Sequence, residues 1–146
     1  MQASFGAKGV DQVRLALPFV MRLAWQPSTL ITSFLLHRRV HDSAQRCFQH
    51  IARAYDQEQR RELGIDLFGG CLNVRRMKGG KRWSMHSWGA AIDFDPTRNG
   101  LRSNHRNARL AQPDAEPFWR IWEDEGWVSL GRSKDYDWMH VQAARL

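Results

Sequence analysis

Cysteine is scarce in this chain: Cys47 and Cys71 are the only two in 146 residues. Two isolated thiols exclude a disulfide framework and a thiolate metal cluster, which leaves both to serve as small buried hydrophobes. Long apolar runs are missing as well. No stretch reaches the ~18 residues that a membrane span requires. The apolar segment nearest the start, Leu15-Ala16-Leu17-Pro18-Phe19-Val20-Met21, is broken by Pro18 and followed at once by Arg22. It lacks a small-residue cleavage site, so a secretory leader is not expected there. The chain also has no internal repeat, no low-complexity stretch and no concentrated basic tract. Without such a tract, its positive charge says little about nucleic acid in particular.

The charge itself is considerable. Lys and Arg number 22 against 15 Asp and Glu, a formal net charge of +7. Long-range attraction of that size favours polyanionic surroundings, among them an anionic cell wall or lipopolysaccharide, and it also serves plain solubility. Hydrophobic residues make up 42% and charged residues 25%, the balance of a soluble globular protein. The length suits one domain with a proper core and is too short for two comfortable ones. A single domain over residues 1–146 is therefore expected, with residues 1–14 as a loose polar start.

Periodicity sets the expected organisation. Leu15 to Trp25 has short strand character. Val40, Ala44, Cys47, Phe48, Ile51 and Tyr55 form one stripe at helical spacing, which predicts a helix from about Arg38 to Leu63 ended by Gly64. Ile65 to Phe68 reads as a short strand and Cys71 to Ser84 as a loop. In Ala90 to Asp95 the alternation turns Ala90, Ile92 and Phe94 inward, with Ala91, Asp93 and Asp95 on the other face. Pro96 to Asn107 is turn-rich, and Pro117 to Glu125 is a second helix with Pro117 at its start and Gly126 after its end. A last strand, Trp138 to Gln142, points Met139 and Val141 inward and His140 and Gln142 outward. The order implies a small α+β domain with helices packed on one face of a mainly antiparallel sheet.

Chemistry concentrates in two stretches, Ser84-Met85-His86-Ser87-Trp88-Gly89-Ala90-Ala91-Ile92-Asp93 and Asp137-Trp138-Met139-His140. They hold two imidazoles and two carboxylates, enough for three metal ligands and a spare base. Catalytic zinc takes three nitrogen or oxygen ligands and leaves a position for water, whose proton a nearby carboxylate can accept. Asp93 and His140 fall on the polar faces of their strands and meet above the sheet if those strands are neighbours. His86 and Asp137 have the wrong parity for continuous strands, so each should come from the loop before its strand. Asp137 then suits a base, with Asp135 as a second candidate. His37, His41, His50 and His105 have no matching partner pattern and read as hydrogen-bonded or surface histidines.

The pattern Ser-x-His-x-x-Gly-x-Ala-x-Asp followed by Asp-x-x-His resembles the zinc DD-peptidase family of bacterial cell-wall enzymes, over roughly Leu67 to Gln142. That family includes D-Ala-D-Ala carboxypeptidases and the L-alanyl-D-glutamate endopeptidases of phage endolysins, and shares its fold with the hedgehog signalling domain. The run Gly69-Gly70-Cys71-Leu72-Asn73-Val74-Arg75 is similar to its members as well. The resemblance implies His86, Asp93 and His140 as Zn2+ ligands and Asp137 as general base. It implies Arg75, with Arg76 as a rival, at the substrate or the developing oxyanion, and Ser84 in support of the site or the bound peptide. The implied substrate is a peptidoglycan stem peptide. The implied setting is a monomeric endolysin made in the cytoplasm and acting on the wall after release, with L-alanyl-D-glutamate endopeptidase activity favoured over D-Ala-D-Ala carboxypeptidase. A non-catalytic zinc-containing wall-binding domain is the reading from another class. Two departures touch the implied substrate wall: Val141-Gln142 stands where many relatives have Phe-Glu, and Leu130 to Tyr136 replaces a glycine-rich, tryptophan-containing approach to the base.

Overall fold

Residues 5–73 and 84–143 are described by a computed structural model. The chain opens with a long hairpin, β1 (Gln12–Leu23) and β2 (Gln26–His37). Its antiparallel register slips between Ala16 and Met21, around Pro18, which has no N–H to give to a ladder. Strand β3 (Leu67–Phe68) joins β1 in parallel, giving a sheet of order β2-β1-β3. Arg22 Nε, on β1, anchors this edge by binding Asp66 Oδ2 at 2.8 Å.

A second three-stranded sheet has the order β4-β6-β5, with β4 (Ala91–Asp93), β5 (Trp127–Ser129) and β6 (His140–Ala143), antiparallel throughout. The two sheets meet where Phe68 bridges Phe94 and Gly69 N donates to Asp93 O at 2.8 Å. Asp93 N in turn donates to Gly70 O at 3.0 Å. The backbone of Asp93 is thus held on both sides, by β6 and by the two glycines.

Helices α1 (His41–Ala54) and α3 (Glu116–Asp124) pack behind the sheets, joined by the short α2 (Gln57–Leu63) and α4 (Leu130–Lys134). The apolar stripe of α1 buries Ala44, Cys47, Phe48 and Ile51. Phe48 lies among Phe19, Phe34, Phe94 and Trp122, with ring centroids 5.5–6.3 Å apart. Truncating such a ring typically costs ~3–5 kcal/mol. The small α+β class read from the sequence is the one observed, with two sheets in place of one.

Three local expectations need correction. The start is not loose from residue 5 onward: Phe5 is buried, its carbonyl lies 2.6 Å from His37 Nε2, and β1 already begins at Gln12. One buried ring outweighs the polar composition around it. The strand expected from Leu15 to Trp25 is one arm of a twelve-by-twelve-residue hairpin. The helix expected from Arg38 to Leu63 is broken at Tyr55, because Asp56 caps Gln59 N while the Gln59 side chain returns to Asp56 N. That reciprocal pair starts a new helix and stops the old one. The Tyr55 hydroxyl then bridges to α3, donating to Asp114 O at 2.8 Å and accepting from Phe118 N at 3.1 Å.

Candidate metal centre

Register places the first two side chains. Asp93 on β4 stands directly opposite His140 on β6, so both project from the face opposite to Ile92 and Val141, which are wholly buried in the core. His140 Nδ1 lies 3.1 Å from Asp93 Oδ1. His86 arrives from a 3-10 turn, Met85–Trp88, just ahead of β4. Ser84 caps that turn by accepting from His86 N at 3.2 Å. Gly89 closes it with φ +67, in the left-handed region where a Cβ would also strike the Gln12 side chain. The N-terminal segment covers the turn, with Gly9 N donating to Ser87 O and Trp88 Nε1 to Gly6 O.

The ring nitrogens are sorted by their partners. His86 Nδ1 lies 2.7 Å from the Cys71 carbonyl oxygen, which can only accept, so that nitrogen carries the proton and Nε2 keeps its lone pair. His86 Nε2 is 3.1 Å from Asp93 Oδ2 but lacks hydrogen-bond alignment, and it ranks among the buried polar atoms with no hydrogen-bond partner. The two imidazoles meet edge to face with centroids 5.0 Å apart. One ligand atom from each of His86, Asp93 and His140 lies within 4.8 Å of the others. Tetrahedral zinc with bonds near 2.0–2.1 Å sets neighbouring ligand atoms roughly 3.3 Å apart. Asp93 comes within 3.1 Å of each imidazole, through Oδ2 toward His86 Nε2 and through Oδ1 toward His140 Nδ1, so either oxygen can serve as its ligand atom. An orphaned imidazole nitrogen beside a carboxylate and a second imidazole is therefore a donor set that fits a zinc ion.

Electrostatics agree with a charged pair at the centre. Burial works to raise the Asp93 carboxyl, but His140 and His86 together outweigh it and hold the group below the usual carboxylate range. Burial works against the charged form of His140, yet the Asp93 contact prevails and raises its pKa.

Asp137 lies in the turn entering β6, its side chain only 13% exposed and Oδ2 3.8 Å from His140 Nδ1. Its backbone is left-handed at φ +53, a conformation that costs an L residue roughly 1–2 kcal/mol and that aspartate tolerates better than most. Two hydrogen bonds fix the turn: Asp137 N donates to Leu101 O at 2.9 Å, and His140 N to Asp137 O at 3.0 Å. Asp135 is engaged elsewhere. Its carboxylate accepts from His105 N at 2.6 Å and Trp138 Nε1 at 3.0 Å, and lies 2.7 Å from His105 Nδ1.

Residues 78–143 match the family model of D-alanyl-D-alanine carboxypeptidase. The match covers less than half of the chain, and all three ligand candidates and Asp137 lie inside it. No curated protein and no solved structure matches the chain.

The structure thus brings together His86, Asp93, His140 and Asp137, and puts Ser84 beneath the His86 turn. Arg75 and Arg76 lie outside the described residues. In the first of the two departures noted in the sequence, Val141 is a core residue, and Gln142 turns to the back of His140, Oε1 lying 2.9 Å from His140 Nε2. The Cys71 and Leu101 carbonyls were missed by residue-based reasoning, since a backbone oxygen carries no residue signature. The alternation in β6 does put Gln142 on the same face as His140. Among the described residues, no helix is long and apolar enough to cross a membrane.

Proposed function

We propose that the protein is a zinc-dependent peptidase of peptidoglycan stem peptides, formed by the single domain that the sequence implies. One observation carries the reading: the His86, Asp93 and His140 ligand atoms converge within 4.8 Å inside the segment that matches a peptidase family. Zinc bound there supplies Lewis acidity toward a peptide carbonyl and acidifies a water toward a pKa of ~7. His86, Asp93 and His140 hold the ion, with the Cys71 carbonyl fixing the His86 ring. Asp137 accepts the proton of the attacking water and passes it to the leaving amine, a division of labour that its placement beside His140 but off the ligand cluster supports. Ser84 keeps the His86 turn in place. Arg75 is assigned to the developing oxyanion on the family resemblance alone.

The family match favours the bond between two D-alanines. Cleavage between L-alanine and D-glutamate, as in an endolysin released to lyse its host, is the second reading. The net charge of +7 favours it by drawing the protein to an anionic envelope. Zinc-loaded protein incubated with purified sacculi, followed by mass spectrometry of the released fragments, separates these readings. Free D-alanine means carboxypeptidase, and new amino termini at D-glutamate mean endopeptidase. Sacculi that bind the zinc-loaded protein and stay uncut would leave a non-catalytic wall-binding domain and sink the peptidase reading.

A further inference from the structure

We infer that Gln142 is a positioning residue that selects Nδ1 of His140 as the nitrogen offered to the metal. The inference rests on the zinc-site reading above and adds a residue to it. His140 is buried, and its two ring nitrogens face different partners: Nδ1 is 3.1 Å from Asp93 Oδ1, and Nε2 is 2.9 Å from Gln142 Oε1. Asp93 holds a proton on Nδ1 while that position is free, and a metal ligand must give such a proton up, so the metal-loaded imidazole is neutral and carries one proton. A carbonyl oxygen accepts and cannot donate, so the amide oxygen of Gln142 draws that proton to Nε2 and leaves the Nδ1 lone pair toward the site.

Position makes Gln142 suited to this. It lies two residues after His140 on the central strand of its sheet, paired with Ala91 on one side and Val128 on the other. Its side chain therefore shares the face of His140, on a backbone braced from both edges. The pairing also explains an asymmetry in the site. His86 presents Nε2 because a main-chain carbonyl, that of Cys71, holds its Nδ1. His140 presents the opposite nitrogen because a side-chain carbonyl holds its Nε2. Outer partners of this kind typically change metal affinity by ~10- to 100-fold when removed. Only the second of the two can be removed by substitution.

The test uses the whole protein with Gln142→Leu and Gln142→Glu, zinc affinity measured by chelator competition, and nitrogen-15 correlation spectra of the histidine rings. In the zinc-loaded wild type, His140 should carry its proton on Nε2. Gln142→Leu should weaken zinc binding by ~10- to 100-fold. Gln142→Glu, whose carboxylate can only accept, should restore affinity to the wild-type level or better, a rescue that loss of packing would not show. Wild-type affinity in Gln142→Leu, or zinc-loaded wild type without a proton on His140 Nε2, overturns the inference while the zinc site stands. Wild type that binds no zinc overturns the site itself, and the inference with it. Should Gln142→Leu fail to fold, the ring spectrum of the wild type decides alone.

Discussion

Gly131→Ala opposes two effects of known size. Gly131 is the second residue of α4, and its conformation carries no left-handed strain. On helix propensity alone, alanine should stabilise the protein by up to ~1 kcal/mol. Packing says otherwise. The Trp138 ring lies flat against Gly131, and a Cβ there would stand 2.7 Å from Trp138 Cγ and closer still to Cδ2 and Cε3. Carbon atoms prefer separations of roughly 3.5–4.0 Å, so the ring must retreat by about an ångström. It has little room to do so. Trp138 Nε1 donates to Asp135 Oδ1 at 3.0 Å, and its ring meets Trp119 with centroids 6.4 Å apart. Overpacking of this kind costs ~1–3 kcal/mol, and weakening a hydrogen bond to a carboxylate adds about 1.5 kcal/mol. The packing side wins, for a net loss of about 2 kcal/mol. Chemical denaturation in the presence of a chelator reads this without any contribution from bound metal. Peptidase activity should fall as well, because Trp138 lies between Asp137 and His140. A Gly131→Ala protein more stable than wild type would refute the packing reading.

Asp137→Asn should retain zinc and lose ~100- to 10,000-fold in kcat, the usual range for removing a general base. Zinc content and turnover measured on the same preparation check this, and full activity would remove Asp137 from the mechanism. Glu125 gives a pH prediction. Hydrogen bonding from Arg46, aided by Ser43, outweighs burial and holds the Glu125 carboxyl below its ordinary value. Its contribution to stability is therefore fully present above the unfolded carboxyl pKa of ~4.3 and lost as pH falls through the lower folded value. The stability difference between wild type and Glu125→Gln should be larger at pH 6 than at pH 3. A difference independent of pH would show that the ion pair contributes nothing.

What the sequence disclosed follows the range of each signal. The α1 stripe is local and legible, and so is the parity of Asp93 and His140, which their pairing across β4 and β6 matches. The off-strand origins of His86 and Asp137 followed from the same parity count. Strand β2 was missed because its buried residues, Phe34, Leu36 and His37, all lie near its end, while it starts with the polar and exposed Gln26-Pro27-Ser28. Its strand character comes from pairing with β1. The break at Tyr55 was missed for the opposite reason: the apolar stripe runs on through Tyr55 and masks the Asp56–Gln59 capping pair. Gln142 was legible as a departure from a pattern, but its contact with His140 needed the strand in place.

The direct pairing of Asp93 with His140 has a consequence for what change this protein can absorb. Side chains alternate along a strand, so an insertion or deletion of one residue within β6 would turn His140 into the core and bring an apolar neighbour to the site. The long excursion between β4 and β6, which holds α3, β5 and α4, enters this geometry at inner points too, where β5 pairs with β6 and where Leu101 O receives Asp137 N. Outside those contacts, its surface can change while the ladder of three paired residues keeps its count. Substrate preference can therefore drift in the connecting loops while the chemistry stays fixed by a single backbone register.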